Sequence, residues 1–278
     1  MTYKIKYIGK YGEIDFSQFP YICNTHDFFN YDLEVYATKL KSVNCYVVDD
    51  IVNPNINFIL EVQVLGNKKE KHLVNMENIF GADRDELTPG RLFVDDEYIE
   101  CFIVASVKKD FNKFKMMEYV TLSIYPTKAE WINEEKYTLS KYEDITSTNG
   151  FSFPLSFPST FKMNQKSMTI FNNNYKSTMI KIIIYGEIDH PIITIGNFPY
   201  GIHAKLLVNE RIEIEPRNKS IVKVTESGEV LNMFNHRDKD FSVFTKLQPG
   251  NNEVYLNGDY SIEVILLHER MEPRWKTD

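Results

Sequence analysis

The chain has 278 residues, enough for two domains of ordinary size that each bury a core. Its 43% hydrophobic and 26% charged residues are typical of a globular protein in water, and its net charge of -7 argues against a nucleic-acid binder, which needs a basic surface. No segment has the length of a membrane span or the pattern of a signal peptide, and the three cysteines lack metal-type spacing, so we expect reduced thiols in a protein folded in the cytoplasm.

The first half of the chain alternates short apolar segments with polar ones, which predicts β-strands. The 17 Tyr and 19 Phe favour half-buried pleated surfaces and support the same class. One helix is predicted around Leu73, Met76 and Phe80, with Ile79 alongside and Gly81 at its end. The predicted strands are Lys4–Ile8, Leu33–Tyr36, Ser42–Val48, Asn57–Val64, Arg91–Val94, Tyr98–Val107 and Tyr119–Ile124.

Charge and regularity change near the middle of the chain. Residues 1–138 carry 16 Lys and Arg against 22 Asp and Glu, a net charge of -6, whereas residues 139–278 carry 16 against 17. Between Ser140 and Pro158, Ser147–Gly150 and two prolines interrupt any regular pattern. We therefore expect a domain boundary near residue 140 to 150, with a first domain at 1–140 and a second at 141–278.

The second half is predicted to be almost wholly β, and many short strands at regular spacing indicate a β-sandwich. Asn257-Gly258 lies between the last two strands and favours a type I′ hairpin turn. The predicted strands are Met179–Tyr185, Ile192–Ile195, Ile202–Val208, Arg211–Ile214, Ile221–Val224, Glu253–Leu256 and Tyr260–Leu267.

The sequence contains no motif of enzyme chemistry: no Gly-rich phosphate loop, no metal-binding histidine pair and no nucleophile elbow. We therefore expect no catalytic residue, cofactor or metal. The six histidines are scattered, and each is expected to be a satisfied or solvated side chain. They are His26, His72, His190, His203, His236 and His268.

Two polar clusters are open to a second interpretation. The carboxylates Asp83, Asp85, Glu86, Asp95, Asp96 and Glu97 flank the turn Thr88–Gly90 and could bind a hard cation, but they lack the rhythm of a calcium loop, which favours a solvated acidic rim. The stretch Asn232–Asp240 could bind sugar hydroxyls or supply an acid and a base, and a loop or interface role is the favoured alternative. A glycosidase would need two carboxylates held across a cleft.

An ordered set of segments carries a family resemblance. In the second half it comprises Ile182–Gly186, His190–Gly196, Glu213-Ile214, Lys219–Ile221, Asn232–Arg237, Phe244, Leu247–Val254 and Arg270–Trp275. In the first half it comprises Glu77–Phe80, Thr88–Leu92, Tyr98–Cys101 and, with an extra spacer at Thr127–Glu130, Pro126 to Trp131. This set resembles the siphophage distal tail proteins, the Dit or phage tail-component family, and residues 1–60 match least.

The resemblance implies a mostly β fold: a belt domain that is split-barrel-like with one helix, and a galectin-like β-sandwich. It implies a structural virion protein of the tail tip, assembled in the bacterial cytoplasm and without enzymatic activity. Its partners would be other copies in a ring, usually a hexamer, the tail tube protein and the tail-tip or baseplate hub protein. DNA would meet it only in transit, and no membrane partner is expected.

A ring needs head-to-tail contacts that close on themselves, and the strand-rich first half could supply them by pairing open sheet edges. The excess of carboxylates in residues 1–138 would then line the channel and repel passing DNA. The alternative function is a carbohydrate-binding adhesin module for the host surface that uses Arg237 or Asp238. A cell-wall hydrolase is the third possibility.

Overall fold

The computed structural model describes residues 3–40, 45–54, 57–109, 115–140 and 168–275. The chain is mostly β with one long helix, which confirms the predicted fold class. It divides into two compact units: unit 1 is Met1–Asn133 with Glu269–Asp278, and unit 2 is Glu134–His268. Residues 141–167, which include most of the predicted linker from Ser140 to Pro158, lie outside the described residues.

Unit 1 contains the helix α1 (Lys69–Asp85) and two antiparallel sheets. The hydrogen-bonded order of the larger sheet is β3-β4-β7-β10-β9-β8-β1-β2, with β11 also paired to β9, and over the described residues it does not close into a barrel; β5 and β6 form the second sheet. In that order of labels the strands are β1 (Ile5–Gly9), β2 (Gly12–Asp15), β3 (Ser17–Gln18), β4 (Tyr21–His26), β5 (Glu34–Lys39), β6 (Tyr46–Val52), β7 (Phe58–Leu65), β8 (Gly90–Val94), β9 (Glu97–Lys108), β10 (Met117–Pro126) and β11 (Trp131–Ser140).

The core of unit 1 lies between the larger sheet and α1. Along β7 and β10 every second side chain is buried, because one face of an antiparallel sheet turns inward. The helix covers this face with Met76, Ile79 and Phe80, so the predicted apolar stripe is a packing face. Within the described residues, no helix is long and apolar enough to cross a membrane.

The helix does not end at Gly81, as predicted, but continues to Asp85. The reason is a contact between residues that are distant in the sequence. The buried carboxylate of Asp83 accepts hydrogen bonds from the Tyr7 hydroxyl at 2.8 Å and from the Lys10 backbone N–H at 2.9 Å. This ties the last helical turn to β1 and its following turn, and it outweighs the modest helix preference lost at one glycine.

Unit 2 is a sandwich of two larger sheets over one apolar core, with orders β20-β19-β18-β13-β22-β11 and β12-β21-β15-β16; β14 and β17 form a small third sheet. A short 3-10 helix, Phe234–His236, follows β20. The strands are β12 (Met168–Asn172), β13 (Met179–Tyr185), β14 (Ile188–Asp189), β15 (Ile192–Ile195), β16 (Phe198–Gly201), β17 (Lys205–Leu206), β18 (Arg211–Glu215), β19 (Ser220–Val224), β20 (Val230–Asn232), β21 (Gly250–Leu256) and β22 (Ser261–Arg270).

The hairpin predicted at Asn257-Gly258 is wrong. β21 pairs with β12 and β15, whereas β22 pairs with β13, so the turn connects the two sheets. The Asn257 side chain accepts from the Ile192 N–H at 2.9 Å and donates to the His190 carbonyl at 3.0 Å. A Cβ on Gly258 would lie 2.6 Å from Ile188 Cδ1, so this glycine serves close packing.

Candidate functional site

Several of the carboxylates expected to form an acidic rim are bound by groups from the first strand and the residues that flank it. Asp83 is tied to β1 as described, and Glu86 pairs with Lys10 and accepts from the Tyr11 hydroxyl at 2.6 Å. Asp95 accepts from the Lys4 backbone N–H at 3.0 Å. Among the described residues, no group of three His, Cys, Asp or Glu side chains is placed to hold a metal ion.

Glu97, like Asp83, is buried, and its partner lies near the end of the described chain. Its carboxylate accepts from the Arg274 backbone N–H at 2.8 Å and lies 3.2 Å from the Arg274 side chain Nε. Burial raises the pKa of Glu97 above its usual value, although Arg274 and Arg270 oppose the shift. The contact joins the start of β9 to the end of the described chain, both within unit 1.

The residues of the Asn232–Asp240 stretch contact one another and the neighbouring strand β16. The Arg237 guanidinium lies 4.0 Å from the centre of the Phe234 ring and donates to the Phe234 carbonyl at 2.6 Å. The Asp238 backbone N–H donates to the Gly201 carbonyl at 2.9 Å, and its carboxylate accepts from the Asp240 N–H at 3.1 Å. These contacts hold the stretch as a loop against β16.

The histidines are less scattered than the sequence suggested. The rings of His190 and His203 lie 4.0 Å apart, and His268 Nε2 lies 3.0 Å from Glu135 Oε2. Neither pair has a third ligand placed for a metal among the described residues.

The most unusual surface belongs to the hairpin of β5 and β6. Every residue of both strands is exposed. Cross-strand pairs place Val35 opposite Ile51, Ala37 opposite Val48 and Lys39 opposite Tyr46. Side chains alternate along β5, so Val35, Ala37 and Lys39 share one side of the ribbon. A bulge at Asp49 keeps their partners in β6 on the same side. We call Val35, Ala37, Tyr46, Val48 and Ile51, which share this side with Lys39, the apolar hairpin face.

The four larger side chains of the apolar hairpin face are more than half exposed: Val35 by 57%, Tyr46 by 65%, Val48 by 55% and Ile51 by 54%. The other side of the ribbon is more polar. There, the Tyr36 hydroxyl donates to Glu34 at 2.9 Å. Near it, the Thr38 hydroxyl donates to Asp49 at 2.6 Å. Both sides of the ribbon are exposed, and the more polar side combines Glu34, Thr38 and Asp50 with Tyr36, Val47 and Val52.

An isolated two-stranded hairpin is marginally stable at best in water. Exposed apolar side chains gathered on one surface are typical of sites of protein contact. The sequence predicts strands here but not their exposure, because the apolar pairs Val47-Val48 and Ile51-Val52 are typical of core strands. The one signal against a core strand is the acidic pair Asp49-Asp50 between them.

No protein-family model matches the chain, and no curated protein matches its sequence. Solved structures match its fold over nearly its whole length. The crystal structure of the SPP1 Dit protein, described as a paradigm of the hub adsorption apparatus in phages that infect Gram-positive bacteria, has a TM-score of 0.60 at 9% identity and covers 97% of this chain and 100% of its own.

A chain of the phage P2 baseplate in its activated conformation with Ca has a TM-score of 0.68 at 10% identity and covers 98% of this chain and 100% of its own. The P2 baseplate with Sr gives 0.68 at 9% identity, with the same coverage. This chain therefore has the fold of these phage baseplate and hub proteins, which confirms the fold that the resemblance predicts.

Proposed function

We propose that this chain is a structural protein of a bacteriophage tail tip that forms a ring and joins the tail tube to the baseplate hub. The shared fold with the SPP1 Dit protein and the P2 baseplate supports the general role. Unit 1 is the belt that builds the ring, and unit 2 is a galectin-like sandwich. Six copies close the ring, DNA crosses it only in transit, and the protein has no enzymatic activity.

The observation that carries this proposal is the apolar hairpin face. Burying its apolar area stabilises an assembly by about 25 cal/mol per Å². A second copy of the chain is the occupant that a ring requires, since each copy offers the hairpin to one neighbour and receives the hairpin of the other. Over the described residues, β5 and β6 pair with no other strand, so their outer edges could extend a sheet of the neighbour.

The charge of the first half of the chain fits the same arrangement. Residues 1–138 have a net charge of -6, and their exposed carboxylates include Glu34, Asp49 and Asp50 of the hairpin. If the apolar side faces a neighbour, these carboxylates remain in solvent. A ring lumen lined in this way would repel DNA phosphates and let the genome pass.

Two adjacent valines provide a matched test of ring formation. Val48 lies on the apolar hairpin face opposite Ala37, whereas Val47 lies on the other side opposite Thr38. We expect Val48→Lys to weaken self-association roughly tenfold or more, because it places a charge in the contact, and Val47→Lys to weaken it much less. Light scattering coupled to size exclusion, with and without the hub protein, measures the oligomer.

The control for folding is the far-UV circular dichroism and urea midpoint of both variants, which should match the wild type because both positions are exposed. Rings of unchanged size and stability in Val48→Lys would contradict the role of the hairpin. A wild-type chain that stays monomeric even with the hub protein would contradict ring formation itself.

A further inference from the structure

The chain enters and leaves the hairpin of β5 and β6 through Phe29 and Asn53, which we call the feet of the hairpin. Phe29 lies on the entering side, shortly before β5, and Asn53 directly follows β6. Residues 270–275, which we call the C-terminal strap, contact both. The Trp275 ring lies 4.4 Å from the Phe29 ring, and the Asn53 amide donates to the Met271 sulfur at 3.1 Å.

The same feet also contact other parts of unit 1. Phe29 packs on Tyr3 with ring centres 4.9 Å apart, and the Asn53 amide donates to the Ala129 carbonyl at 2.7 Å. The strap thus reaches both sides of the hairpin base. Trp131 does so deeper in unit 1, where its ring lies 5.7 Å from the Phe28 ring and 6.1 Å from the Phe58 ring.

The strap is itself fixed at Glu97, a buried carboxylate with 4% exposure. Arg274 lies between Met271 and Trp275 in the sequence. It binds Glu97 through its backbone N–H and its side chain. The Trp275 indole N–H donates to Glu272 at 3.3 Å, which bends the strap back on itself. One anchored segment therefore holds both feet.

The direction of the ribbon depends on its feet, because all residues of β5 and β6 are exposed and no core layer covers them. We propose that the C-terminal strap positions the hairpin for docking on a second copy, with Phe29, Asn53, Met271 and Trp275 as its positioning residues. The docking step rests on the proposed function. The ordering of the hairpin by the strap does not, and it can be measured in the monomer.

Hydrogen exchange of the full-length monomer tests this ordering. We expect Trp275→Ala and Met271→Ala to speed exchange in peptides from Glu34–Lys39 and Tyr46–Val52 by roughly three- to tenfold, the factor carried by the loss of one aromatic or hydrogen-bond contact. Trp275→Phe keeps a ring on Phe29 and should restore most of the protection. Tyr175→Ala, at an exposed site in unit 2, should change nothing in the hairpin.

The outcomes separate the two proposals. Unchanged hairpin exchange in both alanine variants, or faster exchange throughout unit 1, overturns the positioning role. Faster exchange confined to the hairpin supports it, and so does a matching loss of self-association in the same variants. A wild-type chain that never forms oligomers overturns the proposed function, while the exchange result still decides the role of the strap.

Discussion

At the scale of single residues, unit 1 depends on buried charges that are paired across long stretches of chain. Lys69, the first residue of α1, lies 3.2 Å from Glu118 in β10, and each side chain is only 2% exposed. Taking two charges out of water is costly, so the pair stabilises little beyond an apolar substitute. Removing one partner, however, leaves the other charge buried without compensation.

This asymmetry gives a stability prediction. Lys69→Met should lower the free energy of unfolding of unit 1 by about 3–5 kcal/mol, and the double variant Lys69→Met with Glu118→Leu should recover most of that loss. Urea unfolding of unit 1 measures both. Equal losses in the single and double variants would show that packing, and not the unpaired charge, dominates the site.

Glu97 gives a prediction about pH. Because burial raises its pKa in the folded state, folded unit 1 binds this proton more readily than the unfolded chain does. The contribution of Glu97 to stability is therefore fully present below its unfolded pKa and is lost as pH rises through the folded pKa.

Glu97→Gln carries no titrating group at this position. We therefore expect its free energy of unfolding not to show this decrease at pH values just above the usual glutamate pKa. The measurement is the difference between the two stability curves against pH, since groups common to both proteins cancel. If the free energy of unfolding of the wild type minus that of Glu97→Gln stays flat or rises with pH, the assignment is contradicted.

At the scale of elements, the strands that were predicted well are those with one buried face. β7, β10, β13 and β18 alternate buried and less buried side chains, and the alternation is visible in their letters. β4 and β11 were missed because Asn24, Thr25 and Glu134-Glu135 break the apolar pattern. The candidate site was missed for the opposite reason: its apolar residues imitate a core strand and lie in solvent.

The three cysteines lie in different places: two are in strands, and the third precedes β6. Cys101, in β9, is buried and its pKa is raised by that burial, and burial raises the pKa of Cys23, in β4, to about 11. A raised pKa means less thiolate at pH 8 and slower reaction. Cys45 is exposed beside β6.

We therefore expect a thiol reagent to modify Cys45 of the monomer first, Cys23 more slowly and Cys101 only on unfolding. Ring formation through the hairpin should slow the modification of Cys45 several-fold and leave Cys23 unaffected. Mass spectrometry of modified peptides, at protein concentrations below and above assembly, measures both rates. A rate at Cys45 that does not depend on assembly would place the contact elsewhere.

At the scale of the whole molecule, the chain passes between its two units twice, within β11 and within β22. Composition predicted a change of domain near the middle of the chain, and the units divide between Asn133 and Glu134. The return of residues 269–278 to unit 1 could not be predicted, because it depends on contacts such as that of Arg274 with Glu97, 177 residues apart. Local patterns carry no information about such a partner.

This return gives protein synthesis a place in assembly. The ribosome makes all of unit 2 before it makes the strap. The hairpin of a nascent chain is therefore present before Arg274, the partner of Glu97, has been added. Any product that terminates before residue 269 carries the hairpin without the segment that holds its feet. If the strap positions the hairpin as proposed, products that end before it would be excluded from the proposed ring, and assembly would follow the translation of unit 2.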